Sequence, residues 1–69
     1  MFQLQYNRRS GLSGPADWRP MPEGRGTVEA TRQACMAHRR SYIRAWRHLS
    51  GEYPTIETRI ASGRFTEGA

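Results

Sequence analysis

The chain has 69 residues, room for one small domain spanning 1–69 and no second. Eleven basic residues oppose six acidic ones, for a net charge of +5 and a pI near 10.7. Leu, Ile, Val and Phe supply only nine positions, below the roughly one fifth of a chain under which charged sequences tend toward disorder, so a large self-sufficient core is excluded.

All eleven basic residues are Arg and none is Lys, the codon signature of a GC-rich genome or its phage. Cys35 is the single cysteine, which rules out an intramolecular disulfide and makes a reducing compartment, the cytoplasm, the expected location. Met1–Tyr6 contains no apolar run, so no signal peptide is expected. No stretch approaches the ~20 apolar residues that span a bilayer, so no membrane partner is expected.

In chain order, Phe2, Leu4 and Tyr6 alternate with Gln3, Gln5 and Asn7, the period of two of a half-buried strand. Arg8–Ala16 holds Gly11, Gly14, Ser10, Ser13 and Pro15 and reads as a loop. Trp18 opens a short second strand, which Pro20 and Pro22 confine to a sheet edge because neither can donate to a ladder. Glu23–Gly26 is a second loop.

Thr27 is the expected N-cap of a helix running to Arg40, with Glu29 favourably placed in its first turn. Val28, Thr31, Cys35 and His38 recur at helical spacing, and Ala30, Ala34 and Ala37 are strong helix formers. Ser41–Leu49 reads two ways. As a helix it continues that stripe through Tyr42, Ala45 and Leu49 to a stop at Gly51. As a strand it sets Ile43, Ala45 and Leu49 against Tyr42, Arg44, Trp46 and His48. The strand is preferred, because Tyr, Ile and Trp favour strands and a later strand needs neighbours. Ser50–Pro54 is then a turn, and Ile56 and Ile60 share one strand face with Glu57 and Arg59 on the other. Residues 62–69 are expected to form a tail that frays beyond Phe65.

The predicted fold is α+β, a β(β)αββ domain with one helix on one face of a three- to four-stranded antiparallel sheet. Phe2, Leu4, Tyr6, Val28, Cys35, Ile43, Leu49, Ile56 and Ile60 form the expected core. The opposite sheet face is left without a cover, either solvated or a binding surface.

Charge distribution carries the functional reading. Between Glu29 and Glu52 there is no acid but five Arg, namely Arg32, Arg39, Arg40, Arg44 and Arg47. Elsewhere six Arg balance six acids, so the whole net charge lies in this segment. Tyr42 and Trp46 are interleaved with it. Arg, Trp and Tyr are the residues enriched in protein-interface hot spots, and the same set tracks phosphates and stacks on bases. The candidate partner-binding residues are therefore Arg32, Arg39, Arg40, Tyr42, Arg44, Trp46 and Arg47. A protein is the expected partner, nucleic acid the alternative, and a plain solvated face the structural default.

No enzyme is expected. Cys35 and His38 share a helix face but lack an orienting carboxylate, so Cys35 is read as core. Adding His48 gives three metal-ligand types where structural zinc wants four, so no metal is expected and no cofactor either. Arg25-Gly26-Thr27 ahead of a helix offers one anion cradle, with an ordinary loop as the default.

In outline the chain resembles the small phage-encoded anti-CRISPR proteins. The features that carry the resemblance are the strand at Phe2–Tyr6, the helix at Thr27–Arg40 and a C-terminal hairpin around Ser50–Pro54. The resemblance spans the whole chain but includes no motif, so no residue role comes with it. It implies a non-enzymatic inhibitor in the bacterial host cell that binds a Cas protein of a CRISPR surveillance complex and blocks DNA binding or nuclease recruitment. Many such proteins are acidic DNA mimics, a mechanism this basic chain does not share. The alternative is a small basic nucleic-acid-binding module.

Overall fold

The computed structural model describes residues 1–65. Strands β1 (Phe2–Asn7) and β2 (Trp18–Pro20) precede helix α1 (Arg32–Ser50), and strand β3 (Thr58–Ser62) follows it. The sheet is antiparallel with order β2-β1-β3, and α1 packs on one face, an α+β domain as predicted.

β1 is central because it alternates cleanly and holds no breaker. It pairs with β3 in the register Leu4↔Ile60 and Gln5↔Arg59, and with β2 as Tyr6↔Arg19. Past Pro20 the ladder continues through Met21, whose N–H donates to the Leu4 carbonyl at 3.0 Å. Glu29 then returns to exchange two 2.8 Å backbone bonds with Phe2. Between them the chain bulges out and back, and Gly26 passes so close to Met21 that a Cβ there would sit 2.4 Å from the Met21 carbonyl oxygen. That approach requires glycine.

The helix is displaced from its predicted span. It begins at Arg32, with Thr31 as N-cap, its hydroxyl accepting from the Ala34 N–H at 3.2 Å. Thr27 instead donates to the Gly24 carbonyl within the loop. The reason is upstream competition: Glu29 is held extended by its bridge to Phe2, so helical backbone cannot start before it. At the other end the strand expected at Ser41–Leu49 is helix. Gly51, at φ 77°, closes it as a left-handed cap whose N–H reaches the Arg47 carbonyl at 2.8 Å, and Arg47 and His48 favour that terminus. The β-preferences of Tyr42, Ile43 and Trp46 yield to this stop signal and to an unbroken i, i+3, i+4 pattern.

Ser50–Pro54 is consequently a helix end, and no hairpin forms there. A single strand follows the helix among the described residues, and it begins at Thr58, leaving Ile56 in the preceding connection. Ile60 faces α1 and Arg59 faces away, as expected. Ser62 belongs to β3 and the Gly63 N–H bonds the Met1 carbonyl; positions 66–69, where the tail is expected to fray, lie outside the described residues.

The core is small. Leu4, Met21 and Cys35 are buried, with Phe2, Tyr6, Tyr42 and Ile60 packed around them. Met21 was not anticipated, standing between two prolines. Leu49, an expected core residue, is 84% exposed, because α1 runs on past the end of the sheet. Val28, Ile43 and Ile56 are half-buried.

The sheet face away from α1 is closed by its own side chains. Gln3 and Gln5 are each 9% exposed and Asn7 7%. Gln3 donates to the Gly26 carbonyl at 3.0 Å, Gln5 donates to the Gln3 carbonyl oxygen at 2.9 Å, and Arg59 donates to the Gln5 oxygen at 2.8 Å. Arg59 also lies over the Trp18 ring, 4.3 Å from its centroid. The face expected to be open is thus a satisfied polar layer.

Candidate functional site

One helix carries all seven candidate residues but divides them among three directions. Cys35 marks the inward meridian. Tyr42 and Trp46 follow it at helical spacing and point over the end of the sheet, their ring centroids 6.3 Å apart. With Tyr6, Met21, Leu49 and Ile56 they line an open apolar groove of about 390 Å³. One wall of that groove is Arg25, which donates to Glu23 at 3.0 Å and reaches the Ser41 hydroxyl at 3.4 Å. Burial raises the Tyr42 phenol pKa, with Arg25 acting against it.

Arg32, Arg39 and Arg40 face the β3 side. They line a second groove, of about 220 Å³, with Met36, Ile43 and Ile60. Arg39 is anchored there by a 3.2 Å bond to the Thr58 hydroxyl. Arg44 lies nine residues from Cys35, about two and a half turns, and so projects directly to solvent. Arg47 stacks over Tyr53 at 4.3 Å and donates to its hydroxyl at 3.2 Å. Arg44 and Arg47 take the outward face, Arg40 stands at its border with the β3-side groove, and Trp46 does not join them.

Every ion pair among the described residues uses Arg8, Arg19, Arg25 or His38. The five arginines of α1 carry none. Arg39 and Arg47 instead meet hydroxyls and an aromatic face, so no described carboxylate neutralises these five charges. By contrast, Asp17 accepts from Arg19 and Arg8, and the Arg19 hydrogen bond leads in lowering its carboxyl pKa.

The orienting carboxylate not anticipated for His38 exists: Glu29 Oε2 stands 2.8 Å from His38 Nε2. The bridge that holds Glu29 against Phe2 brings it there, a long-range effect with no local sequence signal. It does not make Cys35 a nucleophile. Cys35 is 0% exposed, and burial, followed by the Glu29 charge, raises its thiol pKa. A reactive thiol needs the opposite shift and an approach path. His48 sits in the last turn of α1, about 15 Å along the axis from His38, and joins neither residue. The Arg25-Gly26-Thr27 cradle is separated from the helix start, so it has no helix terminus behind it.

Met36 and Ile43 were missed as site residues. Met36, Arg39, Arg40 and Ile43 fall at i, i+3, i+4 and i+7, a pattern that emerges only once the helix extends past Arg40.

Compared with known proteins, the chain matches no family model, no curated protein and no solved structure. Among the described residues no helix is long and apolar enough to cross a membrane.

Proposed function

We propose that this chain is a non-enzymatic binding protein whose working surface is the basic side of α1, and that its partner is a larger protein. The observation that carries this reading is the set of arginines on α1 without an ion pair among the described residues, on the same helix as an exposed Trp46. Desolvated Arg and Trp are where interface energy concentrates. The small core supports the same reading, since binding to the folded state adds stability that a three-residue core lacks. On the outline resemblance to anti-CRISPR proteins, to which the N-terminal strand and the single helix still contribute and the expected hairpin does not, the partner is a Cas protein in the host cytoplasm, and occupancy blocks DNA binding or nuclease recruitment.

The test is capture from host lysate with and without nuclease, followed by affinity measurement at two salt concentrations. Arg44→Glu and Arg40→Glu each weaken binding in this reading, since Arg44 points outward and Arg40 borders the same face. Inhibition of DNA cleavage by a reconstituted Cas surveillance complex tests the specific partner. Normal binding by folded Arg44→Glu and Trp46→Ala variants would sink the assignment of the surface.

The alternative is a nucleic-acid-binding module. The five arginines along one acid-free helix, none paired with a described carboxylate, favour it. It predicts affinity for random duplex DNA falling by about one log unit per log unit of salt for each phosphate contacted.

A further inference from the structure

The two edges of the sheet differ in a way the register makes explicit. The bonds from the Asn7 N–H to the Glu57 carbonyl and from the Gly63 N–H to the Met1 carbonyl fix which residues of β3 turn their backbone toward β1. Arg59 and Ala61 do so. By the alternation of an antiparallel ladder, the N–H and C=O groups of Thr58, Ile60 and Ser62 point the other way. No described strand pairs with that outer edge.

On the α1 side the same edge is bordered by the 220 Å³ groove of Arg32, Met36, Arg39, Arg40, Ile43 and Ile60. The groove has an apolar floor and three cationic side chains, and no acidic residue lines it. A strand laid beside β3 would place alternate side chains under α1, where Met36 and Ile43 accept apolar groups and the arginines accept carboxylates.

We propose that the outer edge of β3 is a docking site for an extended, acidic protein segment, which adds to the sheet as a fourth strand under the arginines of α1. Addition of a strand supplies backbone hydrogen bonds, and the groove supplies side-chain selectivity. A second copy of this chain is the poorer occupant. A two-fold pairing of β3 with β3 would bring Arg32, Arg39 and Arg40 of two +5 chains together, and like charges across strands repel. The proposal rests on α1 being a protein-binding surface and names the kind of segment that surface takes.

The probe is a capped synthetic heptapeptide of alternating Glu and Val, titrated into the full ¹⁵N-labelled chain. The amides of Thr58, Ile60 and Ser62 are expected to shift and gain protection from exchange, more than those of Arg59 and Ala61, which already bond β1. Ser62→Pro removes one outward donor at an exposed edge position without touching the β1 ladder. It should keep the fold and weaken the peptide by roughly tenfold, as should Arg40→Glu. A Lys-Val peptide should not bind. If the peptide perturbs only the region of Arg44 and Arg47, outside the groove, the edge proposal is wrong while the α1 reading survives. No binding at millimolar peptide, equal binding by Ser62→Pro, or protection of β3 by self-association or by duplex DNA would each overturn the proposal.

Discussion

The two faces of the sheet are closed by opposite means. On one, Leu4 and Ile60 lie under α1 with Cys35, and burial of apolar surface does the stabilising. On the other, no helix packs among the described residues, yet Gln3, Gln5 and Asn7 are nearly as inaccessible. The Gln3 and Gln5 amides are joined to each other, to the Gly26 carbonyl and to Arg59, Asn7 accepts from the Arg9 and Asp17 N–H groups, and no buried polar side-chain atom among the described residues lacks a partner. Burying polar groups costs little when every donor and acceptor is used and much when one is left over. A chain short of aliphatic residues has in this way built a second layer out of amides.

The comparison breaks most readily from the apolar side. Leu4→Ala should cost about 2–5 kcal/mol, the scale of the total that a domain of this size commonly has, so the variant should be largely unfolded by circular dichroism at 25 °C. Next comes the polar side's anchor. Gly26→Ala sets a methyl against the Met21 backbone and displaces the carbonyl that Gln3 uses, an overpacking cost of about 1–3 kcal/mol. A melting temperature equal to the parent's would show that the loop does not anchor that face.

Asn7→Ala should follow at about 1–2 kcal/mol, because its side-chain oxygen accepts from the N–H groups of both Arg9 and Asp17 and two donors are orphaned. Faster amide exchange at Arg9 and Asp17 is the matching local readout. The smallest effect is electrostatic. The Asp17 pKa is lowered in the folded state, so its contribution is present above the unfolded carboxylate pKa and fades as pH falls through the lower, folded one. The pair is exposed and screened, so a denaturation series from pH 5 to pH 2 should show a shallow decline that Asp17→Asn flattens slightly. Cys35 acts at the other end of the scale. Its raised thiol pKa makes the fold lose stability as pH climbs past the ordinary thiol range, and Cys35→Ala removes that dependence.

Much of this was readable from residues. The alternation at Phe2–Asn7, the proline-limited second strand and the inward Ile60 follow from period and backbone chemistry, and so does the α+β class. The helix limits did not. Thr27 is as good a cap as Thr31 in sequence, and the choice is made by the bridge between Glu29 and Phe2, two residues far apart in the chain. The segment Tyr42–Trp46 has strand-forming residues in a helical frame, and Gly51 settles the matter from outside it. The candidate site suffered from the same error. Read as a strand, Arg44 and Trp46 share a face; in the helix they diverge, and Met36 and Ile43 join Arg39 and Arg40 instead. The polar layer was illegible because Gln and Asn alternating with apolar residues look the same whether they meet solvent or one another.

The placement of two prolines bears on stoichiometry. The Arg8 N–H to Asp17 carbonyl and Met21 N–H to Leu4 carbonyl bonds mean that positions 18, 20 and 22 turn their backbone away from β1. Pro20 and Pro22 occupy two of those three, so the β2 stretch of this margin offers a newcomer a single N–H, that of Trp18. The opposite margin keeps all of its donors. A sheet with one open margin can accept one strand and then stop, because the far side cannot pass the pairing on. Growth into fibres requires two open margins, so whatever joins β3 ends the assembly at one partner per chain.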